Sequence, residues 1–218
     1  MATSQAVKNV VKEGISLKGS VELVGEYLYH ALNSILYMRG VYPADMFEDV
    51  QKYGMCIFDA KDEQLKIYLS SVMKWASEWM MKEAVTAIVL VISDMETKEV
   101  MERWQFDIFC DDLSKTSGDK KSKDAGKSKG NESEIRRQIG SVLKQIVASV
   151  SLLPATGLDS VCSFNILVYT KNNLDVPADW QESTAHMIPD SQQLKFRQIH
   201  TSVHQVDTCV TYRSASGL

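Results

Sequence analysis

No run of about 18 apolar residues occurs in this chain, so no transmembrane helix is expected. The opening stretch, MATSQAVKNVVKEG, lacks a long apolar stretch and a small-residue cleavage site, and it is not read as a signal peptide. With Glu13 and no arginine it is not read as a mitochondrial presequence either. The four cysteines, Cys56, Cys110, Cys162 and Cys209, form no CxxC pair. A local zinc ribbon or thioredoxin motif is therefore excluded, and the expectation is reduced, mostly buried thiols. A net charge of -4 gives no general attraction to nucleic acid. The one GxSxG string, Gly126-Lys127-Ser128-Lys129-Gly130, lies in a lysine-rich stretch with no apolar strand before it, and no glycine-rich turn follows the most apolar segment, so no hydrolase elbow is written here.

Short motifs with chemical associations fail on inspection. Gly126-Lys127-Ser128 matches the end of a phosphate loop, but Lys121 stands where the first glycine is needed. His200 and His204 have a zincin spacing without the glutamate after the first histidine, and their segment reads as a strand. In one continuous strand they would stand about 13 Å apart, too far to share an ion. Ser71-x-x-Lys74 and Ser141-x-x-Lys144 both fit the SxxK pattern, but SDN and KTG companions are missing. Asn131-Glu132-Ser133 is a sequon without a secretory context. No catalytic residue, metal ligand or cofactor is assigned.

What is present is a globular pattern, 44% hydrophobic and 24% charged over 218 residues, enough for one sizeable core. Residues 20–39 read as a helix through Val24, Leu28, Ala31, Leu32, Ile35 and Leu36, with Ser20 as cap and Gly40 as stop. YGMCIF (53–58) reads as a short strand. Residues 63–82 form a second helical pattern with Leu65, Leu69, Val72, Met73, Ala76, Trp79 and Met80 on one face. VTAIVLVI (85–92) has the β-branched, wholly apolar character of a central strand. In 99–111, Trp104, Phe106, Ile108 and Cys110 alternate with Arg103, Gln105 and Asp107. The lysine-rich stretch 113–133 reads as a solvated loop. A third helix covers 134–151, and a third clear strand covers 160–170. The last part of the chain has no helix and two weakly alternating stretches, Leu194–Val203 and Val206–Tyr212. The fold class is α+β, helices packed on a mostly antiparallel sheet.

Several specific strings occur in one order: ISLKGS (15–20), NSILYMRGVYP (33–43), VQKYG (50–54), EWMMK (78–82), VMERWQFDI (100–108), IRRQIGSVLKQI (135–146), CSFNILVYT (162–170), VPADWQES (176–183) and HQVDTCVTY (204–212). Together they resemble the HORMA domain family in its spindle assembly checkpoint branch. The resemblance runs from about Ile15 to Tyr212, leaving 1–14 as a flexible N-terminus and 213–218 as a tail. Other branches, in translesion synthesis and on meiotic axes, are the alternatives.

The resemblance implies a HORMA domain over 15–212 with three helices on a mostly antiparallel sheet and a mobile C-terminal seatbelt, about 171–212. In the family's open state the seatbelt covers the partner edge. In its closed state it moves to the other side of the sheet and wraps a partner peptide added as a strand. By position, the partner edge is Cys162, Phe164, Ile166, Val168 and Tyr169. The seatbelt and its anchors are Trp79, Trp180, Val210 and Tyr212. Self-association into an open–closed homodimer falls on Arg39, Lys144, Gln145 and Arg197. Lys144 stands where the family usually has arginine, keeping the charge but losing the bidentate fork. The implied role is non-enzymatic: at kinetochores, and between nucleus and cytoplasm, the chain would inhibit the anaphase-promoting ubiquitin ligase by sequestering its coactivator. Implied partners are that coactivator, the mitotic arrest deficient protein one tether, the checkpoint kinase-related subunit of the inhibitory complex, and an AAA+ remodeller with its HORMA adaptor. Neither nucleic acid nor membrane is an expected partner.

Overall fold

A computed structural model describes residues 15–110, 132–154, 161–171, 174, 176–178 and 180–213. The expected 1–14 segment, almost all of the lysine-rich stretch, the Gly126-Lys127-Ser128 motif and all of the expected 213–218 tail except Arg213, which ends a strand, lie outside the described residues.

The first helix, α1 (Leu17–Met38), starts earlier than the periodicity suggests. Ser16, not Ser20, is its cap: the Ser16 hydroxyl accepts from Gly19 N at 3.2 Å. Ser20 is instead wholly buried, one turn inside the helix. Gly40, at φ +62°, ends the helix in the left-handed region that glycine tolerates. Next comes a hairpin, β1 (Phe47–Lys52) and β2 (Met55–Ala60), turned by Tyr53 and Gly54, both at positive φ. Sequence reading placed one strand at 53–58 and missed β1. FEDVQK is too charged to signal a strand, and Tyr53 belongs to the turn. α2 (Glu63–Met81) is capped by the Asp62 carboxylate, 2.8 Å from Leu65 N.

The main sheet holds β3 (Val85–Asp94), β4 (Val100–Cys110), β5 (Cys162–Thr170), β6 (Ser191–Lys195) and β8 (His204–Arg213), in the order β5-β3-β4-β8-β6. A short β7 (Ile199–His200) also pairs with β8, and all pairs are antiparallel. α3 (Glu132–Ser149) begins inside the stretch read as loop, with Glu132 and Glu134 favourably placed in its first turn. Cross-strand partners share a face, so Ile88, Leu90, Ile92, Trp104, Phe106, Ile166, Val206 and Val210 all point to the helices. They meet Leu28, Leu32, Ile35, Leu69, Ile139 and Leu143 in one core. Fully burying one such aliphatic side chain contributes about 1.5–3 kcal/mol. Val89 and Val91 point to the opposite, outer face, yet they too are buried. A central strand covered on both faces is what the apolar run 85–92 announces.

Two expectations need correction here. Only Cys209 is buried; Cys56 is exposed, and Cys110 and Cys162 are half-exposed. His200 and His204 do not share a continuous strand: His200 ends β7 and His204 opens β8 after a tight turn held by Thr201, whose hydroxyl accepts from His204 N at 2.6 Å.

Candidate functional site: an unpaired sheet edge and a strap

β5 is the terminal strand of the sheet, paired only to β3 among the described residues. Its other edge therefore presents backbone donors and acceptors to any added strand. Cys162, Phe164, Ile166 and Val168 face the helices, as the alternation requires, while Tyr169 faces the outer side. Phe164 sits between Tyr42 and Tyr68, with edge-to-face centroid distances of 5.9 and 5.7 Å. The Tyr68 hydroxyl meets the backbone of Ile166, and burial raises its pKa above the usual phenol value. An aromatic floor thus lies beside the edge that the sequence reading selected.

The chain leaves β5 with Lys171 N donating to Ala84 O at 2.8 Å and next enters regular structure at β6, on the far edge. Crossing four strand spacings needs roughly 19 Å, whereas roughly 20 extended residues reach about 66 Å. The surplus leaves length for the described residues 180–190 to run as a strap beside the sheet. Trp180 ties the strap to α2, its ring 5.1 Å from that of Trp79 and close to perpendicular. Beyond it the strap passes the outer face: Arg103 Nε donates to Ala185 O at 3.2 Å, and Ile188 is buried.

Residues 191–213 do something different from the strap. Within the expected clasp, 171–212, Val210 and Tyr212 lie in β8, across the sheet from β5. Val210 pairs with Trp104 and is fully buried, and the Tyr212 hydroxyl donates to Gln192 Oε1 at 3.2 Å. They join the C-terminal strands to β4 and to β6. Trp104, in turn, stacks on Phe196 at 5.9 Å.

Side chains whose part here sequence reading did not identify hold this hairpin to the helices, Ser20 and Gln145 having been given other roles. Tyr27 and Thr208 hydroxyls are 2.7 Å apart in the interior. Ser20 Oγ lies 2.7 Å from His204 Nδ1 and 2.6 Å from Thr201 Oγ1. Gln138 and Gln145 of α3 accept from His200 N at 2.9 Å and Arg197 N at 3.0 Å. The only sequence signal for these contacts was a polar residue on an otherwise apolar helix face.

The self-association residues separate. Gln145 and Arg197 are in contact, and Lys144 is exposed beside them. Arg39 is buried. Its guanidinium donates to Glu102 Oε1, while Glu102 Oε2 accepts from Trp104 Nε1 at 2.9 Å. No group of three or more metal-ligating side chains occurs among the described residues.

The HORMA domain family model matches residues 20–209. The chain is 43% identical to the mitotic spindle assembly checkpoint protein MAD2A of Dictyostelium discoideum, over 93% of this chain and 95% of that protein. It is 41% identical to human MAD2A, over 93% of this chain and 94% of that protein. Among solved structures it is similar to a chain in a crystal structure of the mitotic checkpoint complex, with a TM-score of 0.79 and 34% identity. That match covers 90% of this chain and 99% of the other.

Proposed function

The chain belongs to the HORMA domain family and to its spindle-checkpoint branch, and we propose that it works there as a non-enzymatic adaptor that captures a partner segment as a strand added to β5. The observation that carries this reading is the combination of a β5 edge to which no described strand is added and a strap tied down at Trp79–Trp180. An added strand satisfies the backbone groups of the edge and gives affinity with little demand on sequence, while the aromatic floor of Tyr42, Tyr68 and Phe164 adds selectivity. A strap that closes behind the segment slows release more than it speeds capture.

In this reading a closed copy keeps β8 on β4, away from the β5 edge, and the observed β4–β8 pairing is consistent with that. Opening requires β6 and β8 to leave β4, and the Tyr27, Ser20, Gln138 and Gln145 contacts to break, while α1, α2, α3, β3, β4 and β5 stay packed. The switch thus acts on one hairpin, not on the core. Within this reading the captured segment comes from the coactivator of the anaphase-promoting ubiquitin ligase, or from the mitotic arrest deficient protein one tether. The checkpoint kinase-related subunit joins the inhibitory complex, and an AAA+ remodeller with its HORMA adaptor reopens the fold. Self-association between open and closed copies uses the exposed Lys144 and Arg197 beside Gln145. The site of action is the kinetochore in mitosis, with nuclear and cytoplasmic pools otherwise.

Affinity purification of the tagged full chain from mitotically arrested cells tests the reading. Recovery of the ligase coactivator is expected, and its absence under conditions that recover other checkpoint subunits would count against it.

A further inference from the structure

Arg103 is a buried cation on the wrong side of the sheet for the core. Its neighbours in β4, Glu102 and Trp104, face the helices, whereas Arg103 lies on the outer face opposite Thr211 of β8 and Val91 of β3. It is 8% exposed. Its three hydrogen-bond partners are neutral: Nε donates to Ala185 O at 3.2 Å, Nη2 to Tyr169 Oη at 3.4 Å, and Nη1 to the side-chain oxygen of Gln105. Its guanidinium carbon also stands 5.9 Å from the Tyr169 ring centre. The Asp107 carboxylate reaches it only through Gln105, whose amide donates to Asp107 Oδ1 at 2.6 Å, and desolvating a guanidinium with no direct counter-ion contributes little to folding. The arrangement is therefore explained better by what Arg103 connects than by the stability it supplies. It joins the strap, through Ala185, to the strand that offers the capture edge, through Tyr169, from a fixed position on the central sheet.

We propose that Arg103 is the latch of the strap, a positioning residue that holds the strap closed against β5 and so sets how slowly a captured segment leaves. This rests on the capture reading above. A single planar fork suits the task, because it can hold a carbonyl, an amide oxygen and a phenol at once, which a lysine cannot. Tyr169 belongs to β5 itself, so a strand bound to that edge and the latch bear on the same element.

The test uses the full chain and the variants Arg103→Met, Arg103→Lys and Tyr169→Phe. Hydrogen exchange by mass spectrometry reads strap residues 181–189 and, separately, β8. Stopped displacement of a fluorophore-labelled coactivator peptide reads release. Arg103→Met is expected to exchange faster in the strap with β8 unchanged, and to release the peptide about tenfold faster. Its melting temperature should equal or exceed that of the parent chain, since the buried charge is gone. Arg103→Lys should not restore slow release, and Tyr169→Phe should show a smaller effect of the same sign. Parent-like strap exchange and release in Arg103→Met would overturn the proposal. So would a lowered melting temperature with unchanged release, the signature of a purely structural arginine. If the parent chain does not retain the peptide, the capture reading fails, and strap exchange alone still decides whether Arg103 holds the strap.

Discussion

The hydroxyls of Tyr27 and Thr208 lie 2.7 Å apart in the interior, joining the middle of α1 to β8. The bond exists only while β8 pairs with β4, because Thr208 stands opposite Phe106 in that register. Burial pushes the Tyr27 phenol far above its usual range, so it remains a hydrogen-bond donor or acceptor throughout neutral pH.

Tyr27→Phe removes one partner and leaves the Thr208 hydroxyl in a dry site. The expected loss is about 1 kcal/mol in denaturant unfolding. Faster exchange should appear in β8 with β3 unchanged. The raised folded-state pKa also fixes a sign: its contribution to stability is complete below the ordinary phenol value of 10.0 and is lost as pH rises above it. Tyr27→Phe should therefore flatten the alkaline fall of stability above about pH 10, measured by unfolding across a pH series.

Arg39 and Arg197 separate a folding role from an association role. Arg39 and Glu102 form a buried ion pair, and replacing one partner by the other's charge costs about 3–5 kcal/mol or more. Arg39→Glu should thus lower the melting temperature sharply, whatever it does to association. Arg197 is exposed. Arg197→Glu is expected to leave the melting temperature unchanged and to convert self-associated species to monomers on gel filtration. Persistent dimers in Arg197→Glu would remove that residue from the interface.

Asp107 and Asp207 stand directly opposite each other across β4 and β8. Like charges in that position disfavour the pairing. Gln105 donates to Asp107 at 2.6 Å, and Gln198 and Gln205 donate to Asp207 at 2.8 and 2.9 Å, which softens the repulsion without cancelling it. Asp207→Asn should stabilise the hairpin by about 0.2–1 kcal/mol in low salt. The gain should shrink in about 1 M salt, where screening is strong. Equal unfolding midpoints for both chains at low salt would show that the pair imposes no penalty.

Much of the fold was legible because periodicity is strong where burial is one-sided. The three helices and the strands β3, β4 and β5 follow from it within a few residues. The hairpin β1–β2 was only half visible, since FEDVQK carries three charges and pairs outside the main sheet. The edge residues Cys162, Phe164, Ile166 and Val168 were assigned to one face by alternation alone, and the register places them there. The two weakly alternating stretches, Leu194–Val203 and Val206–Tyr212, fall on β6, β7 and β8, but which strand β8 joins was not legible. Val210 and Tyr212 look like anchors anywhere, and only the pairing with Trp104 and Glu102 puts them across the sheet from β5. Arg103 was hidden for a related reason: alternation marked it as an outward polar residue, and nothing local to it announces that Ala185 returns to cover it.

The central claim is strand addition at β5. Its most direct measurement is residue-resolved amide exchange by NMR on the full chain, alone and saturated with the coactivator peptide, with binding confirmed by chemical shift. The account predicts new protection at alternate amides of residues 162–170, those pointing away from β3, with little change in β1 and β2. A bound peptide that leaves the β5 amides as exposed as before would contradict it.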